Sequence, residues 1–180
     1  MLQVKTVATE KEQSMYTDDA KINTEDSWAV VTDCTEHTVL LGKCIGALVQ
    51  PGDCLALCGP LGAGKTNFVT GLAGGMGVEG RVASPSFVVM RCHPGPIYLY
   101  HADAYRLGSP AELEEAGLDE WLEHGVVAIE WAELVEDVLP SDALRIDLGY
   151  EGDGRRIIFT AHTGRHQEML EVLKRCDCWE

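Results

Sequence analysis

Positive charge is what this chain most lacks. Among 180 residues there are 14 Lys and Arg against 29 Asp and Glu, a formal net charge of −15. Phosphate backbones are gripped by clustered Lys and Arg, so a broad nucleic-acid-binding surface is excluded. The same balance suits no anionic membrane. No segment reaches the ~18 consecutive apolar residues of a membrane span. Met1 to Glu12 carry no apolar h-region, so no secretory leader is expected. The chain has seven Cys but no paired CxxC knuckles, which argues against structural zinc. Several of these Cys lie inside apolar runs, where Cys acts as a small hydrophobe. Reduced thiols in a cytoplasmic protein are the expectation, with Cys176 and Cys178 as a pair to watch. There is no internal repeat and no low-complexity tract.

What is present reads as an ordinary globular chain, with 46% hydrophobic and 24% charged residues. Residues 1–26 are polar, mixed in charge and aperiodic, and read as a flexible extension. Residues 27–180 read as a single domain. Trp28 to Thr32 form a β-rich run. Leu41, Cys44, Ile45 and Leu48 then recur at helical spacing, with Asp33 or Thr35 as cap and Pro51-Gly52 as stop. Cys54 to Cys58 are uninterruptedly apolar, as in a parallel strand buried on both faces. A glycine-rich turn and a helix from about Lys65 to Gly74 follow.

Further on, Phe87 to Arg91 and Ile97 to His101 read as strands joined by a turn at His93 to Pro96. Ala111 to Glu115 and Leu118 to Glu123 read as short helices, the first led by Ser109 as cap and Pro110 in its first turn. Val126 to Ile129 repeat the buried-strand pattern. Leu144 to Leu148 and Ile157 to Phe159 form a hairpin about Gly152-Asp153-Gly154. A helix from about His166 to Arg175 closes the chain. Strands alternating with helices imply an α/β fold, a P-loop NTPase-like three-layer sandwich with a largely parallel central sheet and antiparallel hairpin additions.

The chemistry concentrates in Gly59-Pro60-Leu61-Gly62-Ala63-Gly64-Lys65-Thr66, which matches G-x-x-x-x-G-K-[ST]. A chance match in this length is on the order of one in a hundred. The motif follows an apolar strand and opens a helix, the setting a phosphate-binding loop requires. Gly59, Gly62 and Gly64, with Leu61 and Ala63 between them, let backbone N–H groups turn toward phosphates at the positive end of a helix. Lys65 then reaches the β- and γ-phosphates, and the Thr66 hydroxyl ligates Mg²⁺. The competing reading is a structural glycine turn.

A phosphate loop needs a carboxylate at the end of a neighbouring buried strand. Glu130 directly follows Val126 to Ile129 and can hold Mg²⁺ through water or orient the attacking water; otherwise it is a surface strand-end Glu. Asp103 can sit beside the metal or position the nucleophile. Arg106 either contacts phosphate or pairs with a neighbour, and His101 reads as packed or hydrogen-bonded. Ser84 to Phe87 read either as a segment that senses the γ-phosphate or as a turn. Trp131 can pack against the nucleotide, whereas Trp28, Trp121 and Trp179 read as core or partner contacts. The carboxylates Glu112, Glu114, Glu115, Asp119, Glu120 and Glu123 read as a solvated helix face or a surface for a basic partner.

GPLGAGKT at Gly59 to Thr66, SPSF at Ser84 to Phe87, HADAYRL at His101 to Leu107 and IEWAE at Ile129 to Glu133 occur in the order seen in the TsaE (YjeE) family, which the chain resembles from about Thr35 to Ala161. The resemblance implies a bacterial P-loop ATPase using ATP and Mg²⁺. It implies a requirement in N6-threonylcarbamoyladenosine modification of tRNA adenosine 37, acting with the TsaD–TsaB complex, where ATP turnover resets the assembly. It assigns nucleotide and Mg²⁺ binding to Lys65 and Thr66 and catalytic or metal-linked roles to Asp103 and Glu130. Trp131 falls near the nucleotide and Ser84 to Phe87 in a switch-like loop. Two departures stand out. Asn67 replaces the usual Thr or Ser, and its amide can still bond an α-phosphate oxygen, so altered affinity is expected. Ser86 stands where the family has Thr.

Two other functions compete. A small-molecule kinase would need an arginine-bearing lid, and between the loop and Glu130 only Arg81, Arg91 and Arg106 occur. A GTP switch would need an Asn-Lys-x-Asp segment, which is absent. The charge of −15 and the tRNA pathway are compatible if partners hold the tRNA. The isolated chain is therefore expected to bind tRNA weakly and with steep salt dependence. Filter-binding titrations across salt check this, and tight binding at physiological salt would contradict it.

Overall fold

The structure is a computed structural model, and it describes residues 27–80, 82 and 89–175. The readings placed on residues 1–26, on Arg81, on Ser84 to Phe87 and on Cys176, Cys178 and Trp179 lie outside these. A seven-stranded sheet runs in the order β1-β7-β6-β2-β5-β4-β3. The strands are β1 (Ser27–Thr32), β2 (Cys54–Cys58), β3 (Met90–His93), β4 (Tyr98–Asp103), β5 (Gly125–Glu130), β6 (Leu144–Glu151) and β7 (Gly154–Thr160). The helices are α1 (Thr35–Gly46), α2 (Lys65–Gly75), α3 (Ala111–Glu115), α4 (Leu118–His124) and α5 (Gly164–Lys174).

The four central strands, β6-β2-β5-β4, pair in parallel, and both edges are completed by antiparallel pairs. The expected α/β architecture is therefore present, with its parallel character confined to the centre. The central strands alternate between two cores. Leu55 and Leu57 of β2 and Val126 and Ala128 of β5 pack with α1, α2 and α5. Cys54, Ala56 and Cys58, with Val127 and Ile129, pack with Leu113, Leu118 and Trp121 of α3 and α4. That division is why these strands read as unbroken apolar runs: both faces are covered. Burial pushes the thiols of Cys54 and Cys58 up to about 12, so both are inert packing groups.

Helices α1 and α2 cross at backbone contact. A Cβ added at Gly42 would lie 2.1 Å from the Phe68 carbonyl oxygen, and one at Gly71 would lie 1.9 Å from that of Val39. Gly46 and Gly75 meet the opposite helix in the same way. These glycines seat the helix that carries Lys65 and Thr66 against α1. Two caps differ from expectation. Cys34 occupies the cap position of α1 with no side-chain bond, and Asp33 instead accepts from His37 within the first turn. Pro110, not Ser109, caps α3, because a ring-locked φ of −57° already suits the helical start. The six carboxylates on α3 and α4 are exposed, as a solvated face requires. Among the described residues no helix is long and apolar enough to cross a membrane.

At the opposite end of the sheet from the glycine loop, Asp53 locks α5 to the start of β2. It is 6% exposed and accepts from Arg165 Nε at 3.0 Å and Nη2 at 2.6 Å, from His166 Nε2 at 3.3 Å and from the Gln50 N–H at 2.8 Å. Burial alone would raise its pKa, but the bonds from His166, Arg165 and Gln50 outweigh burial and hold it below the ordinary value. A depressed folded-state pKa contributes stability that is complete above the unfolded value and is lost as pH falls through the folded one. Asp53→Asn should cost about 2 kcal/mol at pH 7, discounted for the half-exposed Arg165. Urea melts at pH 7 and below pH 4 should show the gap to the parent closing on acidification. A pH-independent gap would contradict the assignment.

Candidate functional site

The site forms where the parallel strands end. β2 runs straight into the glycine loop, and α2 begins at Lys65. Parallel pairing sets Leu57 of β2 opposite Glu130 of β5, and Glu130 opposite Asp103 of β4. Both carboxylates therefore emerge beside the start of α2. Gly59, Gly62 and Gly64 take left-handed φ values of 127°, 79° and 103°. At Gly59 a Cβ would also lie 2.1 Å from the Leu148 carbonyl oxygen, so only glycine fits there.

Lys65 is 5% exposed and points back over its own loop. Its Nζ donates to the carbonyls of Gly59 and, at 3.0 Å, Pro60, and lies 3.7 Å from the centre of the Trp131 ring. Burial pulls its pKa below the usual range, and the carboxylates of Glu133, Glu130 and Asp103 oppose this only in part. The ammonium is thus held by carbonyl dipoles and a π-face, which an anionic ligand can replace. Trp131 reaches this place through a left-handed backbone, φ 60° and ψ 39°. It is the one non-glycine residue with positive φ among those described, a strain of about 1–3 kcal/mol kept at the site. Tyr105 packs against its ring at 5.1 Å between centroids.

Glu130 is 4% exposed, which removes the surface-Glu alternative. The Thr66 hydroxyl donates to its carboxylate at 2.9 and 3.0 Å, and His101 Nε2 donates to Oε1 at 2.8 Å. His101 is fully buried, and its Nδ1 has no hydrogen-bond partner among the described residues. Asp103 is 6% exposed and accepts from the Tyr105 N–H and from Arg106 Nε, both at 3.3 Å. Arg106 therefore pairs with its neighbour, the second of its two expected roles. Glu133, three residues past Glu130, accepts the Gly59 N–H at 3.3 Å. In the sequence it stands out only as the end of IEWAE, and its spacing of three from Glu130 is the signal that points to it.

A cleft of about 180 Å³ joins Leu61, Gly62, Gly64, Lys65, Thr66, Asn67, Glu130 and Trp131. These are eight of the expected site residues. Gly59, Ala63 and Asp103 do not line it. Gly59 anchors the loop's entry, Ala63 is buried with its N–H on the Pro60 carbonyl at 3.2 Å, and Asp103 stands beside Glu130 at the end of β4. The available donor set near Thr66 is a hydroxyl and carboxylates. Hard oxygens of this kind fit Mg²⁺ and not a softer metal.

An apolar strand, a glycine loop, a helix opened by Lys-Thr and a carboxylate on the next parallel strand define the phosphate-loop class of α/β proteins. Within that class, the family model described as "Threonylcarbamoyl adenosine biosynthesis protein TsaE" matches residues 32–158. The chain belongs to the TsaE family. It is 42% identical over 145 residues to the tRNA threonylcarbamoyladenosine biosynthesis protein TsaE of Bacillus subtilis (strain 168), covering 79% of this chain and 90% of that one. It is 45% identical over 140 residues to the protein of the same name from Streptomyces coelicolor, covering 75% and 90%. The crystal structure of Bacillus subtilis YdiB superposes with a TM-score of 0.72 at 37% identity, covering 83% of this chain and 95% of that one.

Because Lys65 rests on the Trp131 ring, withdrawing it toward a ligand should alter Trp131 emission. Trp28 and Trp121 lie in the two cores, 3% and 5% exposed. Adding ATP with Mg²⁺ is expected to change the fluorescence of the parent and to leave Trp131→Phe unchanged. An equal response in the variant would contradict the Lys65–Trp131 coupling.

Proposed function

We propose that this chain is a Mg²⁺-dependent ATPase, slow alone, that serves N6-threonylcarbamoyladenosine modification of tRNA in the cytoplasm by acting on the TsaD–TsaB complex. Family membership supports the pathway, and the phosphate loop with its paired carboxylates supports the ATPase. The observation that carries the reading is the Thr66–Glu130 bond at 2.9 Å, which joins the loop's hydroxyl to the carboxylate of the neighbouring strand.

The loop's N–H groups and the α2 N-terminus would receive the phosphates. Lys65 would leave the Gly59 and Pro60 carbonyls for the β- and γ-phosphate oxygens. Thr66 would hold Mg²⁺ through its hydroxyl oxygen, with Glu130 as the acidic partner; when bound, the metal neutralises charge that builds on the phosphates. Glu130, kept in place by His101, would orient the attacking water, and Asp103 would supply a second negative group beside it. Asn67 at the cleft edge would bond the α-phosphate. Among the described residues no arginine lines the cleft, in keeping with slow intrinsic hydrolysis and stimulation by a partner.

The kinase alternative gains no support: Arg106 is engaged by Asp103, and among the described residues no arginine lines the cleft. Lys65→Ala is expected to abolish ATP binding in calorimetry. Glu130→Gln should keep binding within a few-fold while lowering hydrolysis by about 100-fold or more. Addition of TsaD–TsaB should raise turnover of the parent without any phosphorylated acceptor. Unchanged turnover in Glu130→Gln would remove its assigned role, and a labelled acceptor formed without the complex would overturn the ATPase in favour of a kinase.

A further inference from the structure

The β6–β7 hairpin sends two side chains to the outer side of the glycine loop. Tyr150, near the end of β6, donates its hydroxyl to the Leu61 carbonyl at 2.7 Å. Arg155, near the start of β7, donates Nη2 to the Gly62 carbonyl at 3.1 Å and Nη1 to the Gly154 carbonyl at 2.7 Å. The Arg155 guanidinium also lies over the Tyr150 ring, 4.6 Å from its centre, and the two residues face each other in the hairpin register. Nothing in the motif or its spacing points to either residue.

We propose that Tyr150 and Arg155 are positioning residues of the phosphate loop, holding its outward carbonyls so that its N–H groups stay set for phosphate. The peptide unit is planar and trans, so a carbonyl and the next N–H point in opposite directions. Pinning the Leu61 carbonyl fixes the Gly62 N–H. Pinning the Gly62 carbonyl fixes the Ala63 N–H, which closes the turn onto Pro60. This matters because glycine makes the loop both possible and floppy: Gly62 and Gly64 have the widest conformational choice and the most entropy to lose on ordering.

The loop's first four carbonyls are all held by side chains: Gly59 and Pro60 by Lys65, Leu61 by Tyr150 and Gly62 by Arg155. Resting on the proposed nucleotide reading, Lys65 gives up its two when it turns to phosphate. The hairpin's two bonds then remain as the restraint on the loop. Their effect is preorganisation: they lower the ordering cost of binding and touch no reacting atom. The hairpin is itself anchored, since β7 pairs with both β6 and β1, and a Cβ at Gly154 would lie 2.2 Å from the Thr32 carbonyl oxygen.

The test compares Tyr150→Phe, Arg155→Ala, Arg155→Gln and Lys65→Ala in the full chain, by calorimetry with ADP and ATP and by steady-state hydrolysis. Tyr150→Phe keeps the ring and removes only the hydroxyl, and Tyr150 is 55% exposed, so folding is preserved and thermal melts check it. Tyr150→Phe and Arg155→Ala should each weaken ADP and ATP alike by about five- to tenfold, with KM raised to match and kcat kept. Arg155→Gln, which retains N–H donors without the charge, should recover most of the loss. Loss of kcat, or weakening of ATP alone, would mean that Arg155 reaches the terminal phosphate and would overturn positioning. Parent-like affinities in the hairpin variants, with Lys65→Ala unable to bind, would overturn the brace while leaving the nucleotide reading intact. Parent-like binding by Lys65→Ala would instead remove that reading.

Discussion

The parallel pairing of β2 with β5 is the constraint on which the site depends. It sets Leu57, one residue before the end of its strand, opposite Glu130, the last residue of its own. A one-residue slip would turn every side chain of β5 to the other face. Glu130 would then lose both the Thr66 hydroxyl and His101. The slip is resisted because Val126 and Ala128 fill one core while Val127 and Ile129 fill the other. The same packing that buries the strand therefore fixes the distance between loop and carboxylate.

The loop between these strands is soft by composition and has to be held from outside. Lys65 holds it from within, through the Gly59 and Pro60 carbonyls. Glu133 holds the first N–H, and the β6–β7 hairpin holds the outer carbonyls. Beneath it, α2 is pressed onto α1 through glycines that tolerate no Cβ. A buried lysine with a lowered pKa and a tryptophan in a left-handed conformation are two local costs met by this framework. Both face the cleft, where strain and desolvation can be relieved by a ligand.

Much of this was legible in the chain. The apolar run Cys54 to Cys58, the glycine motif and the run ending at Glu130 specified a strand, a loop and a carboxylate in the right order, because each is a local pattern. The hairpins were legible from Pro and Gly punctuation. What escaped were contacts between residues distant in sequence. Tyr150 meets Leu61 across 89 positions and Arg165 meets Asp53 across 112, and no periodicity encodes either. The glycines of α1 and α2 look like helix weaknesses until the crossing is seen. Ser109 was a plausible cap, yet the backbone already fixed by Pro110 displaced it.

Of the 29 Asp and Glu behind the net charge of −15, six sit exposed on α3 and α4, while Lys65 lines the cleft. A crystal structure with Mg²⁺ and a non-hydrolysable ATP analogue tests the central claim most directly. Lys65 Nζ should have moved from the Gly59 and Pro60 carbonyls to phosphate oxygens, and the Thr66 oxygen should ligate the metal beside Glu130. Nucleotide seated elsewhere, or Lys65 still on its own loop with phosphates bound, would contradict it.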